Sequence, residues 1–343
     1  MAGKRARKGF IMIIVMVICA ATMLIMSGCG AEEEVVTYTN PLTGKITETE
    51  VDTPRPLVVS IDNVNEAIPQ SWLSKADLVY EFPVEGEQTR LQAVYYTEFP
   101  EHFGPIRSTR PYFVDLAREY KAVFLAHGWS PEARDYLFSG VVPYINAMNS
   151  SLDFYRVDDK PAPHNSYIKW ETVKEEIEAQ GWWDEKKKVK AFKFIKEGAE
   201  SAGERVDKVE FSYNGSDCEF TYDAESNKYV RTVDGAEYID HETGKPIKVS
   251  NVLVQMVRSV EVDSKGRLRI DMCAGGDALL FTNGKVVKGT WSREDLDSRT
   301  IFVDAEGNQF RLSRGKSWVE VTDQNCDIDY VIIPEETEEG EDE

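Results

Sequence analysis

The first 29 residues limit this chain more than any later segment does. Lys4, Arg5, Arg7 and Lys8 precede an apolar run of 17 residues, Phe10 to Met26, and Met26-Ser27-Gly28-Cys29 closes it. A positive start, an apolar stretch and small residues at its end make a secretory signal. A cysteine directly after Gly28 makes that signal a lipobox, with Met26 where Leu is more usual. The alternative is an uncleaved signal anchor, but 17 residues lie near the lower limit of about 17–25 for a bilayer span. The Gly28-Cys29 pair also stands where the apolar run stops. Cys29 is therefore the expected lipidation site. At roughly 0.8 kcal/mol per buried methylene, two acyl chains anchor stably where a single chain is marginal. The polypeptide beyond Cys29 is expected to fold on the outer face of the membrane.

Composition narrows the rest. The chain has 343 residues, 42% of them hydrophobic, which excludes a wholly disordered polypeptide. With only one long apolar run, it is not a polytopic membrane protein. Its net charge is −20, and loss of the four basic residues before Cys29 takes the mature chain to −24. That balance argues against nucleic acid as a partner, since phosphate backbones require clustered Lys and Arg. The last nine residues, Glu335 to Glu343, carry seven acidic side chains and read as a disordered tail. Cys218, Cys273 and Cys326 remain in the body of the chain. They permit one disulfide and one leftover thiol, or three free thiols. No CxxC and no Cys/His cluster at metal spacing occurs, so neither a metal nor a cofactor is expected.

The pattern along the chain predicts an α+β protein: an N-terminal mixed α/β domain over residues 55–200, then a C-terminal β-rich domain over 207–334. Residues 30–54 are polar and read as a tether. Pro56 to Ile61 is a short buried strand. Leu78, Tyr80 and Phe82, then Leu91, Ala93 and Tyr95, alternate as a strand pair. Pro111 opens a helix with Phe113, Leu116, Ala117 and Tyr120 on one face. Ser130-Pro131 starts a second helix, and Tyr167 to Gln180 reads as a third, stopped by Gly181. A basic run, Lys186 to Lys196, reads as a solvated face that could also meet an anionic polymer. Gly198 to Gly203 resembles a linker. After it, alternating aromatic and β-branched residues and repeated Gly turns mark strands without helical periodicity.

Four places could carry chemistry. In Gly104-Pro105-Ile106-Arg107-Ser108-Thr109-Arg110-Pro111, two arginines stand near a helix start, where N–H groups and bidentate guanidinium donors suit a carboxylate or phosphate. The bland reading pairs them with Glu81, Glu85 or Asp115. Pro161-Ala162-Pro163-His164-Asn165 presents a His and an Asn from a stiffened loop, either for proton transfer or to tie loops together. Glu81, Glu85 and Glu87 with Arg90 surround the strand-pair turn; acid/base work would depend on their spatial separation. His127-Gly128-Trp129 ends a predicted buried strand. No GxSxG, P-loop, HExxH or EF-hand pattern is present, so no motif names a reaction.

Several segments together resemble the YerB-like lipoproteins of Gram-positive bacteria. They are Asn40-Pro41-Leu42-Thr43-Gly44, Leu73-Ser74-Lys75-Ala76-Asp77-Leu78-Val79-Tyr80-Glu81, Gly104 to Phe113, Ala162-Pro163-His164-Asn165, Asn251-Val252-Leu253-Val254-Gln255 and Gly289-Thr290-Trp291. The resemblance spans nearly all of residues 40–325. It implies an exported lipoprotein with an N-terminal α/β module and a C-terminal β-rich module, and it implies no reaction. Trp72 stands where the family usually has Gly, and Ile106 stands for Val.

The favoured reading is a lipid-anchored protein that binds an anionic wall polymer or envelope protein through Glu85, Arg90, Arg107, Arg110, His164 and Asn165. The alternatives are an envelope-polymer hydrolase or transferase using Glu81 or Glu85 with His164, and a structural or assembly lipoprotein with no small-molecule site.

Overall fold

The computed structural model describes residues 37–48, 55–183, 187–213 and 216–334. The lipobox, Lys186 and the acidic tail lie outside the described residues. Strands dominate, at 41% against 13% for helix, and the three α-helices among the described residues all fall between residues 111 and 179.

The first half supplies β1 (Leu57–Asp62), β2 (Leu78–Pro83), β3 (Thr89–Tyr95), α1 (Pro111–Tyr120), β4 (Val123–Ala126), α2 (Pro131–Phe138), β5 (Tyr144–Asn146) and α3 (Trp170–Ala179). The second half supplies β6 (Lys208–Tyr213), β7 (Ser216–Asp223), β8 (Lys228–Val233), β9 (Asn251–Met256), β10 (Gly276–Thr282), β11 (Lys285–Ser292), β12 (Ser317–Thr322) and β13 (Asp327–Tyr330). The order β11-β10-β9-β12-β2-β3-β1-β4-β5 forms the spine of an eleven-stranded sheet. Strands from the two halves meet at β12 and β2, which pair in parallel with Ser317 opposite Leu78 and Glu320 opposite Glu81. Both strands are buried along their whole length, as central parallel strands must be.

The helical content fits the sequence reading in part. Pro111 and the extended Arg110 (φ −128°, ψ 159°) begin α1 as expected, and the Ser130 hydroxyl accepts from Ala133 N at the start of α2. The third helix starts later than predicted. Ser166–Lys169 is a strand, paired with His102–Phe103 and Tyr155–Arg156, so only Trp170–Ala179 is helical. The strands of the first half continue into the second through β2 and β12, so the two halves share one sheet.

Within residues 38–48, read from sequence as tether, Asn40 and Leu42 to Gly44 are buried. Asn40 Oδ1 accepts from Leu42 N and Thr43 N, its amide donates to Asp77 at 3.1 Å, and Leu42 is fully buried. A matching turn occurs at Asp240, whose carboxylate accepts from Glu242 N, Thr243 N and Ser74 N. Asn40-Pro-Leu-Thr-Gly-Lys and Asp240-His-Glu-Thr-Gly-Lys are thus one turn used twice, on either side of residues 74–77. Trp72 sits at φ 56°, in the left-handed region, which accounts for the glycine usual at that place.

The large sheet has two apolar faces. Leu78, Tyr80 and Phe82 face α1, along with Val319 and Val321. Val79 and Trp318 face the opposite way, against a six-stranded sheet that includes β8-β7-β6-β13. By the two-residue period of a strand, Glu81 and Glu320 must also point into that second interface.

Candidate functional site

The loop from Gly104 to Arg110 runs beside the end of β1. Asp62 N donates to Pro105 O at 2.9 Å, and Arg107 N donates to Ser60 O at 2.8 Å. This brings Arg107 Nε to 3.2 Å from Asp62 Oδ2, and His164 Nδ1 reaches the same oxygen at 2.8 Å. The Asp62 side chain is 1% exposed, whereas Arg107 and His164 keep 25% and 19%. His127, another predicted candidate, holds Ser166 Oγ at 2.6 Å. Burial, then the nearby Arg156 and Arg107 charges, depress its pKa, so the imidazole is neutral near pH 7. Arg107 and His164 thus meet at a single buried carboxylate, with Arg156 held by Asn165 and His127 by Ser166.

The other predicted residues do different work. Arg110 pairs with Glu85, Nε to Oε2 at 3.0 Å, and also donates to Thr109 O. That pair satisfies both partners apart from Asp62. Arg90 is buried and donates to Ser108 O at 2.9 Å; desolvation pushes its pKa down to about 10, against the pull of Asp62. Asn165 accepts from Arg156 and donates to Val157 O and Lys160 O, so it ties its own loop.

A second polar cluster lies between the sheets. Glu81 accepts from Asn63 (2.9 Å), Thr89 (2.6 Å) and Arg231 (2.8 Å). Arg231, on β8, is 1% exposed, with its guanidinium carbon 4.0 Å from the Tyr238 ring and 4.6 Å from Trp318. Glu320 accepts from Tyr213 OH at 2.8 Å and lies near Cys218. Burial, and next the Glu81 charge, raise the Glu320 pKa well above the usual carboxyl range. Glu81, Cys218 and Glu320 bring donor atoms within 4.8 Å of one another, a spacing open to a metal ion. Glu81 already accepts three hydrogen bonds, however, and Arg231 supplies the positive charge there.

Sequence patterns do not single out Asp62, Arg231 or Glu320. Glu320 and Arg231 carry one usable signal: each stands at an inward position of an apolar strand, in Ser317-Trp-Val-Glu-Val-Thr and Lys228-Tyr-Val-Arg-Thr-Val. Asp62 is the last residue of a strand and carries no such mark.

This arrangement, two strand-rich modules sharing one sheet, defines a protein of the YerB-like class. Residues 42–183 match the model described as Protein of unknown function (DUF3048) N-terminal domain, and residues 208–319 match its C-terminal domain. The chain belongs to that family. It is 36% identical over 286 residues to the Bacillus subtilis (strain 168) protein named "Putative lipoprotein YerB", covering 82% of this chain and 85% of that one. The crystal structure of the YerB protein from Bacillus subtilis matches with a TM-score of 0.77 at 33% identity, over 85% of this chain and 99% of that one.

Proposed function

We propose that this protein is a lipid-anchored envelope protein that binds an anionic ligand at Arg107 and His164. The observation that carries the reading is their convergence on Asp62, with both side chains still partly open to solvent. Asp62 hydrogen-bonds Nδ1 of His164 and attracts Arg107 by charge, with Nε 3.2 Å away. The outer edges are left to meet a phosphate or carboxylate, as in charge-assisted recognition. A wall polymer or an acidic envelope protein supplies such groups. Arg110 is left out of the site because its side chain is 7% exposed and is engaged by Glu85 and Thr109 O.

Binding is favoured over hydrolysis because each candidate base is already held. Glu81 accepts from Asn63, Thr89 and Arg231, Glu85 is held by Arg110 and His164 by Asp62. Full-length protein in detergent is expected to bind purified wall fragments at least ten-fold more tightly than Arg107→Ala or His164→Ala, with Arg134→Ala unchanged. Equal binding by Arg107→Ala would sink the reading.

The lipid anchor rests on the lipobox and on the name of the Bacillus relative. Cys29→Ala is expected to stay unprocessed and to take up no radiolabelled palmitate. Processing or labelling of that variant would count against Cys29 as the acceptor.

A further inference from the structure

The turn that follows the anchor sits against the basic run. Tyr38 comes nine residues after Cys29, a span of at most about 30 Å, and pairs with Thr47 across the Asn40 turn. Phe192 N donates to Pro41 O at 3.0 Å, and the Phe194 ring lies so close to Gly44 that a Cβ there would come within 2.6 Å of it. Val189, Phe192 and Phe194 pack inward on the layer that contains Leu42. The two-residue period of extended chain then turns Lys188, Lys190 and Lys193 outward, and all three are exposed. From Lys187 to Lys196 there are five lysines and no acidic residue, in a chain whose net charge is −20. Lys193 stands directly opposite Arg311 in a parallel pair, both are exposed, and Lys45 is exposed at the turn. None of Lys45, Lys188, Lys190, Lys193 and Arg311 has an ion pair among the described residues. Like charges held side by side repel unless an anion comes between them.

We propose that this cationic edge is a docking face for the anionic headgroups of the membrane that holds the Cys29 anchor. Three arguments favour lipid over a soluble anion. The chain enters the fold at this edge, so the anchor keeps headgroups within reach, and a weak attraction becomes an intramolecular one. The body as a whole is acidic and is repelled by an anionic bilayer, so the edge that carries unpaired cations is the one that can approach. Ile46, 58% exposed beside Lys45, adds an apolar side chain suited to the headgroup boundary. The inference rests on the lipid anchor and is independent of Arg107 and His164.

The test uses the full-length lipidated protein, added to preformed vesicles of phosphatidylcholine alone or of phosphatidylcholine and phosphatidylglycerol in equal parts. After flotation, its amines are acetylated and read by mass spectrometry. Lys190 and Lys193 are expected to react about five-fold more slowly on the anionic vesicles. Exposed Lys228, on β8 in the sheet across the molecule, is expected to react equally on both. At about 1 M salt the screening length falls to about 3 Å, and the difference should vanish. Lys188→Gln with Lys193→Gln, both exposed changes, is expected to remove at least half of the protection at Lys190. Equal rates on the two vesicles, protection that survives high salt, or protection unchanged in the double variant would overturn the docking face. Equal protection on neutral vesicles by soluble poly(glycerol phosphate) would assign the edge to a polymer and overturn it too. Failure to float with neutral vesicles would instead overturn the anchor, and the inference with it.

Discussion

Arg231→Met is expected to destabilise the protein by about 3–5 kcal/mol, the cost of removing one partner from a buried ion pair. Methionine matches the arginine stem and can pack against Tyr238 and Trp318, so loss of volume is not the main effect. What remains is the Glu81 carboxylate, 2% exposed and without its cation. Asn63 and Thr89 still donate to it, but they bring no charge. Glu81→Gln in the same chain removes the stranded charge, and the double variant is expected to recover much of the loss. Denaturant unfolding of all four proteins measures the coupling. Near-additive effects would show that Arg231 and Glu81 do not act as a pair.

Glu320→Gln is expected to change the pH dependence of stability. The folded Glu320 pKa is raised well above its unfolded value, first by burial and then by Glu81. Below the unfolded pKa, about 4.3, both states are protonated and Glu320 imposes no penalty. As pH rises above that value, the unfolded state releases its proton while the folded state holds it. Stability therefore falls by about 1.4 kcal/mol per pH unit from this group, until the pH passes the folded pKa. Glutamine can donate to Glu81 and accept from Tyr213 without titrating. The variant should match the wild type near pH 4 and exceed it by a margin that grows with pH and levels off once the pH passes the folded pKa of Glu320. Parallel stability curves for the two proteins across that range would rule out a buried neutral Glu320.

The sequence makes some of this architecture legible and hides the rest for physical reasons. β1 is visible because five apolar residues surround Ser60 in a run too short for a helix. The start of α1 is visible because proline marks the first turn without help from elsewhere. Tyr167–Lys169 reads as helix because its neighbours in the sheet, at residues 102–103 and 155–156, are far away in sequence. The packed turn at Asn40 reads as tether because its polar side chain is satisfied by Asp77, 37 residues on. At the candidate site, the types of Arg107 and His164 give them away. Their common partner Asp62 stays hidden, since the His164–Asp62 contact spans 102 residues.

By itself, the sequence determined the expected address at Cys29, the strand-rich character of residues 207–334, and the alternation that fixes which side chains face inward. These properties are local: they depend on side-chain chemistry within a few residues of one another. Only the tertiary structure decided that the two halves share a sheet through β2 and β12, that Arg110 joins Glu85 rather than Arg107, and that Glu81, Arg231 and Glu320 meet between layers. Those outcomes depend on which distant strands become neighbours. That choice is made by the burial of whole faces, and burial of a face is a property of the assembled layers, not of any single segment.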